Sequence, residues 1–305
     1  MSLEVKKLSK YYKDQKALDK VSFNAIPGQI LGFLGPNGAG KSTTMKIAAG
    51  YLLPDQGDVL VNGISVIEQP QEVSKVIGYL PEHNPLYLEM YVQEFLTFIA
   101  GIYGIRGSLA KSKVNEVIAA CGLGPEQHKK IGALSKGYRQ RVGLAKALVH
   151  DPKVIILDEP TTGLDPNQLV EIRKLIKEIS REKTLILSTH VMQEVEALCD
   201  KVVIIHKGGI VAQDLLANLK SSEKEVILYL ETQEKLEEAW FLNMQGISQI
   251  QMLGDGHIQL ATSNAGQLRK EIMDLVQKKD LSLISLRQEE RNLETIFHQL
   301  TGTTI

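Results

Sequence analysis

Gly35-Pro36-Asn37-Gly38-Ala39-Gly40-Lys41-Ser42-Thr43 follows directly on the apolar run Ile30-Leu31-Gly32-Phe33-Leu34. The stretch fits G-x-x-x-x-G-K-[ST] through Gly35, Gly40, Lys41 and Ser42, and it stands between a strand-like run and the helical run Thr43 to Ala49. That is the setting in which such a loop holds phosphate. Glycines let the backbone turn its N–H groups inward around phosphate oxygens, and the start of the next helix adds a partial positive charge of about half a unit. Lys41 is placed to reach β and γ phosphates, Ser42 offers a hydroxyl to Mg²⁺, and Asn37, Gly38 and Thr43 belong to the same nucleotide-contacting stretch. A Gly-rich turn with a chance lysine is the plain alternative, and both flanks speak against it.

A phosphate loop alone leaves GTPases, small-molecule kinases, helicases and transport ATPases open. Further along, Val154-Ile155-Ile156-Leu157 runs into Asp158 and Glu159, an apolar strand ending in two carboxylates. Beside a phosphate loop, Asp158 suits Mg²⁺ through its water shell and Glu159 suits the water that attacks a γ phosphate. A base aimed at water favours hydrolysis over phosphoryl transfer to another substrate. No [NT]-K-x-D guanine-reading motif occurs, which disfavours a GTPase. Just before that strand, Gly132-Ala133-Leu134-Ser135-Lys136-Gly137-Tyr138-Arg139-Gln140-Arg141 opens the helical run Val142 to His150, with Ser135 as a candidate N-cap and the helix start as a second anion site.

The chain has 305 residues, enough for one large domain and a smaller one. Its 35 basic and 36 acidic side chains give a formal net charge of −1, no field for holding nucleic acid, and no direct nucleic-acid partner is expected. Cys121 and Cys199 read as two reduced thiols of a cytoplasmic protein. The N-terminus lacks a signal-like apolar core, and no later run reaches the length of a membrane span. Alternating runs at Leu3 to Lys6 and Lys20 to Phe23 predict a small antiparallel β layer. Short apolar strands at Ile30 to Leu34, Val154 to Leu157, Thr184 to Ser188 and Val202 to His206 alternate with helical stretches and predict an α/β core on a parallel sheet. A helical insertion is placed at about residues 87–149.

The polar stretch Lys220 to Glu225 marks a boundary, giving domains 1–219 and 220–305. The tail reads strand (Val226 to Glu231), helix (Gln233 to Leu242), strand (Ile247 to Leu253), Gly254-Asp255-Gly256 turn, strand (His257 to Ala261), helix (Ala265 to Lys278) and strand (Leu281 to Leu286), with a last helix at Asn292 to Leu300. This is the split βαβ order of a ferredoxin-like α+β domain. It contains no catalytic cluster, and Asp255 is better explained by the turn than by a metal.

GPNGAGKST, LSKGYRQR, LDEPTTGLD and the His190 of LSTH, in that order, resemble the nucleotide-binding subunit of an ATP-binding cassette (ABC) transporter, over residues 1 to about 216. The resemblance implies ATP and Mg²⁺ as ligands, and a head-to-tail homodimer, or a dimer with a related cassette, with each ATP sandwiched at the interface. It implies that Ser135 and Gly137 contact the γ phosphate of the partner's ATP, that Asp165 couples the two sites, and that His190 is the switch histidine contacting the γ phosphate, a catalytic residue beside Glu159 and Lys41. For adenine it implies an aromatic residue upstream of the loop, best matched by Tyr12 with Tyr11 as the alternative. Lys136 departs from the usual glycine, and Glu82 in Gly78-Tyr79-Leu80-Pro81-Glu82 stands where the family commonly has a glutamine on the Mg²⁺ side. A carboxylate there still accepts from metal-bound water but adds negative charge and offers no amide donor.

The single cassette, the GYLPE loop and the tail ending in Asn292-Leu293-Glu294-Thr295-Ile296-Phe297 resemble exporter-type subunits that serve ABC-2-type permeases, and IGYLPEHNPLYLEMYV resembles the gliding-motility-associated ATP-binding subunit. The resemblance places such a chain in the cytoplasm, held on the inner face of the plasma membrane by a separate permease. His83 to Tyr91 is aromatic-rich and reads either as a groove for a helix of that partner or as core of the helical insertion. The rival class is a soluble ABC-type ATP switch on a non-transport partner. A ribosome-acting member would carry two cassettes and a chromosome-type member a long heptad insertion, and this chain has neither.

Overall fold

A computed structural model describes residues 2–13, 15–221, 226–242, 244–290, 293, 297 and 301. They fall into two compact units, Met1–Leu216 and Ala217–Ile305. In chain order the first unit runs β1 (Leu3–Tyr12), β2 (Gln15–Ala25), β3 (Ile30–Leu34), α1 (Lys41–Ala48), β4 (Gln56–Val61), β5 (Ile64–Ser65), α2 (Pro70–Val76) and β6 (Ile77–Leu80). Then come α3 (Val92–Ile102), α4 (Gly107–Ala120), α5 (Lys136–Leu148), β7 (Val154–Asp158), α6 (Pro166–Ser180), β8 (Thr184–Thr189), α7 (Met192–Leu198), β9 (Lys201–His206) and β10 (Gly209–Leu215); α8 (Leu216–Ser221) begins on the last residue of this unit and continues into the second.

Two sheets result, an antiparallel one in the order β2-β1-β4-β5 and a six-stranded one in the order β10-β9-β3-β8-β7-β6. In the second sheet β9, β3, β8, β7 and β6 run parallel, and β10 turns back along β9. Every residue of β3, β7 and β8 is buried, which is why their stretches Ile30 to Leu34, Val154 to Leu157 and Leu185 to Leu187 do not alternate with polar residues. One core joins the sheets, with Leu8, Leu18 and Phe23 packing toward Phe33, Met45, Ile47 and Ile205. The Phe23 and Phe33 rings stand 5.1 Å apart. The helices α3, α4 and α5 pack on one another; α3 buries Val92, Phe95, Leu96 and Ala100, one stripe of a 3.6-residue period. The register aligns Leu34 of β3 with Thr189 of β8, and Asp158 of β7 with Ser188. The loops leaving these parallel strands therefore start at one edge, where α/β sheets bind ligands.

The second unit contains β11 (Val226–Thr232), β12 (Ile247–Gly254), β13 (His257–Thr262), α9 (Ala265–Lys278) and β14 (Leu283–Glu290) in the sheet order β12-β13-β11-β14, all neighbours antiparallel. First and third strands are central, as a split βαβ order requires. Leu268, Ile272 and Val276 of α9 sit at helical spacing against Leu228, Leu230, Ile258 and Leu260. The helix expected over Gln233 to Leu242 is absent, and only a 3-10 turn at Glu238–Trp240 forms there. Its backbone is committed elsewhere: Leu236 N–H donates to the Asp255 carbonyl, and the Glu234 carboxylate accepts from the N–H and hydroxyl of Ser282. Buried Leu236 and Phe241 pin the segment as an irregular strap. Of the expected last helix only Leu293 and Phe297, both buried, are among the described residues, and the rest lies outside them.

Candidate active site

The loop after β3 needs its glycines. Gly40, the residue before α1, has φ +108°, and a Cβ there would lie 2.8 Å from the Ala17 carbonyl; one at Gly35 would lie 2.4 Å from the Ile205 carbonyl. Residues with side chains at either place would push the loop off the sheet. Lys41 opens α1 with only 6% of its surface exposed, and its ammonium donates to the Gly35 carbonyl at 2.8 Å and the Pro36 carbonyl at 3.3 Å. The same nitrogen stands 3.4 Å from Glu159 Oε1, so the loop cation and the strand-end carboxylate form a buried pair.

Ser42 donates its hydroxyl to Asp158 Oδ1 at 3.2 Å, and the Ser188 hydroxyl donates to the same oxygen. Burial pushes the Asp158 carboxyl above the usual range, the hydrogen bonds from Ser188 and Ser42 pull against it, and the charges of Glu159 and Glu82 add to the upward shift. A cation placed here would relieve that strain on the charge.

Glu159 leaves β7 in the left-handed region at φ +51°, with its N–H donating to the Ser188 carbonyl at 3.1 Å. Such backbone is costly for a residue with a side chain and is concentrated at functional positions. Both carboxylate oxygens meet His190 Nδ1, at 2.9 and 3.0 Å, and Thr162 donates its hydroxyl to Oε2 at 3.3 Å. Held by Lys41, His190 and Thr162, Glu159 has a fixed direction. That is what a base needs if a water is to be aligned.

A cavity of about 540 Å³ is lined by Tyr12, Asn37, Gly38, Gly40, Lys41, Ser42, Thr43, Glu82, Glu159 and His190, together with Gln15, Ala17 and Thr162. Tyr12 lines it and Tyr11 does not; Tyr11 instead lies beneath the Lys16 ammonium, 5.8 Å from its ring centre. Ser135, Gly137 and Asp165 are outside this cavity. Ser135 caps α5 by accepting from Tyr138 N–H at 3.3 Å, and Asp165 caps α6 by accepting from Gln168 N–H at 2.9 Å. Gly137 sits against Gln168, where a Cβ would come within 2.6 Å of that side chain.

The oxygen donors Ser42, Asp158 and Glu82 fit a hard divalent cation that also takes phosphate and water oxygens, as Mg²⁺ does. Among the described residues no group of three or more His, Cys, Asp or Glu side chains forms a cage of its own. Two contributors were not singled out from the sequence, Thr162 and Ser188. Ser188 stands two residues before His190 on the strand already singled out, and Thr162 belongs to the TTGLD run.

A second cavity, of about 320 Å³, is lined by Tyr51, Tyr79, Pro85, Tyr87, Phe95, Phe98, Ile102, Tyr103 and Lys146 among others. Tyr51, Tyr87, Phe98 and Ile102 are exposed there, so the aromatic run His83 to Tyr91 contributes Pro85 and Tyr87 to an open groove, with buried Phe95 of α3 at its wall. No helix among the described residues is long and apolar enough to cross a membrane.

The ABC transporter family profile matches residues 18–162, and a profile for an AAA domain matches residues 130–196. The chain is 34% identical to the uncharacterized ABC transporter ATP-binding protein YxlF of Bacillus subtilis, over 97% of this chain and 98% of that protein. It is also 34% identical to the bacitracin transport ATP-binding protein BcrA of Bacillus licheniformis, over 97% of this chain and 95% of the relative. A bacterial ABC transporter cassette solved as a dimer superposes with a TM-score of 0.63 at 25% identity, covering 70% of this chain and 98% of that one.

Proposed function

The chain belongs to the ABC transporter ATP-binding proteins and is an ATPase of that family, and from that premise we propose that it powers export through a separate ABC-2-type permease, closing on a second cassette when ATP binds. The convergence of Lys41, the Ser42–Asp158 bond and the Glu159–His190 pair on one cavity carries the ATP-hydrolysing part of this reading, and the bacitracin transport relative supports the export part.

Lys41 and the loop N–H groups bind the β and γ phosphates, and Tyr12 stacks on adenine, worth about 1 kcal/mol. Ser42, with Asp158 and Glu82 as further oxygen donors, would hold Mg²⁺, which would supply charge neutralisation on the phosphates. Lys41 and His190 both contact Glu159, and both are drawn to a γ phosphate, so phosphate binding leaves Glu159 free to take a proton from the attacking water. Ser135 and Gly137 lie outside the cavity of their own chain, which suits a role at the partner's ATP, with Asp165 at the interface. ATP affinity that is higher in the closed dimer than in the open one is what does work on the permease.

The permease seats a cytoplasmic helix in the aromatic groove, which places the chain on the inner face of the plasma membrane. Gliding-motility machinery is the finer assignment. It rests on the run IGYLPEHNPLYLEMYV, whereas the name of the bacitracin relative supports export more broadly. The test is a pull-down of tagged Glu159→Gln protein with ATP and Mg²⁺ from detergent-solubilised native membranes, with partners identified by mass spectrometry. A polytopic membrane protein among them supports the reading. Recovery of ribosomes, nucleic-acid proteins or soluble factors alone puts the soluble switch in first place.

Glu82 is expected to tune the metal. Glu82→Gln removes one of three carboxylates around the phosphates and should shift the Mg²⁺ concentration for half-maximal hydrolysis by about threefold or more, while Glu82→Ala lowers turnover. Magnesium titrations of ATPase activity measure this, and unchanged kinetics in both variants would remove Glu82 from the metal side.

A further inference from the structure

Asn84 lies between the two cavities in sequence: Glu82 lines the ATP cavity, while Pro85 and Tyr87 line the aromatic groove. Its side-chain amide is used at both ends by a single helix. The nitrogen donates to the Arg139 carbonyl at 3.3 Å, and the oxygen accepts from the Lys146 ammonium at 3.3 Å. Arg139, Gly143 and Lys146 are spaced four and three residues apart, one face of α5. Between the two attachment points stands Gly143. A Cβ there would lie 1.9 Å from the Asn84 nitrogen and 2.6 Å from its Cγ, so the amide rests on bare helix backbone.

A glycine in a helix interior costs about 1 kcal/mol relative to alanine, so its presence in the middle of α5 calls for a reason, and the seat of Asn84 supplies one. The helix so gripped begins at Ser135, and the loop so gripped carries Glu82. We infer that Asn84 is a positioning residue that clips the Glu82 loop to α5, so that Glu82 on the ATP side and Ser135 at the head of the helix shift as one part. The inference rests on the roles given to Glu82 and Ser135 above.

The test uses the full chain and two readouts, steady-state Mg-ATP hydrolysis and equilibrium binding of the fluorescent analogue mant-ATP. Asn84→Ala is expected to lower kcat about tenfold, the scale of a misplacement of less than an ångström, with the mant-ATP Kd unchanged within about twofold. Gly143→Ala, which expels the amide without removing it, should do the same. In the double variant the amide no longer meets the added methyl group and only Leu80 Cδ1, 2.8 Å from it, has to give, so kcat should fall no further than in Gly143→Ala alone. A merely structural defect predicts losses that multiply, or nucleotide affinity that falls together with kcat. Either result overturns the inference, as does an Asn84→Ala kcat within about twofold of the unchanged chain. Glu159→Gln reports on the hydrolytic reading separately: an unimpaired Glu159→Gln rejects that reading, while a wild-type-like Asn84→Ala in an enzyme that depends on Glu159 rejects only the clip.

Discussion

Glu159→Gln is expected to lower ATP turnover about 10³-fold while ATP binding persists, the loss that follows when a positioned base is removed. Glutamine keeps the volume of a side chain that is 5% exposed and can still accept from Thr162 and His190 through its carbonyl oxygen. What it lacks is a basic lone pair for the proton of water. The substitution also deletes the charge paired with Lys41 at 3.4 Å, which removes a carboxylate that competes with phosphate for that ammonium and should hold or raise ATP affinity. A protein that binds ATP and cannot hydrolyse it should collect in the closed dimer. Phosphate release gives the first effect, and gel filtration with saturating ATP and Mg²⁺ gives the second. Monomers persisting under those conditions would count against the sandwiched dimer, and turnover at the unchanged rate would place the base elsewhere.

The parts of the site that could be read in advance are those whose chemistry is local. A phosphate loop needs glycines, a lysine and a hydroxyl within nine residues, and a strand-end carboxylate pair announces itself by ending an apolar run. The parallel core was legible for the same reason, because strands buried on both faces are continuous in hydrophobicity. What could not be read depends on contacts distant in sequence. The segment Gln233 to Leu242 has helix-forming composition, yet its N–H and carboxylate groups are taken by Asp255 and Ser282, and tertiary hydrogen bonds override propensity. Asn84 and Gly143 are far apart in the chain, and the only local trace of their contact is a glycine where a helix would prefer alanine. Tyr11 and Tyr12 are adjacent and chemically alike; only the placement of β1 beside the cavity tells them apart.

Lys41→Met should weaken ATP binding about 100-fold, roughly 3 kcal/mol, the size of one or two charge-assisted hydrogen bonds to phosphate. The balance of charge around the cavity makes this residue decisive. Asp158, Glu159 and Glu82 all bear on it, and the first of these already has its ionised form disfavoured by burial and by the other two. Against three carboxylates, Lys41 is the one lysine or arginine among the lining residues; His190 faces the same carboxylate but is cationic only when protonated. Without the ammonium, a nucleotide triphosphate meets net repulsion that the loop N–H groups alone do not offset. Methionine keeps the unbranched stem and the buried volume, so α1 and the loop should persist, and the change isolates the charge. Raising Mg²⁺ should recover part of the affinity, because a divalent ion delivered with the nucleotide neutralises the same carboxylates. Lys41→Met in which added Mg²⁺ restores nothing would mean that Lys41 acts through geometry, as the tie to the Gly35 and Pro36 carbonyls, rather than through its charge. Mant-ATP titrations at two Mg²⁺ concentrations separate the two.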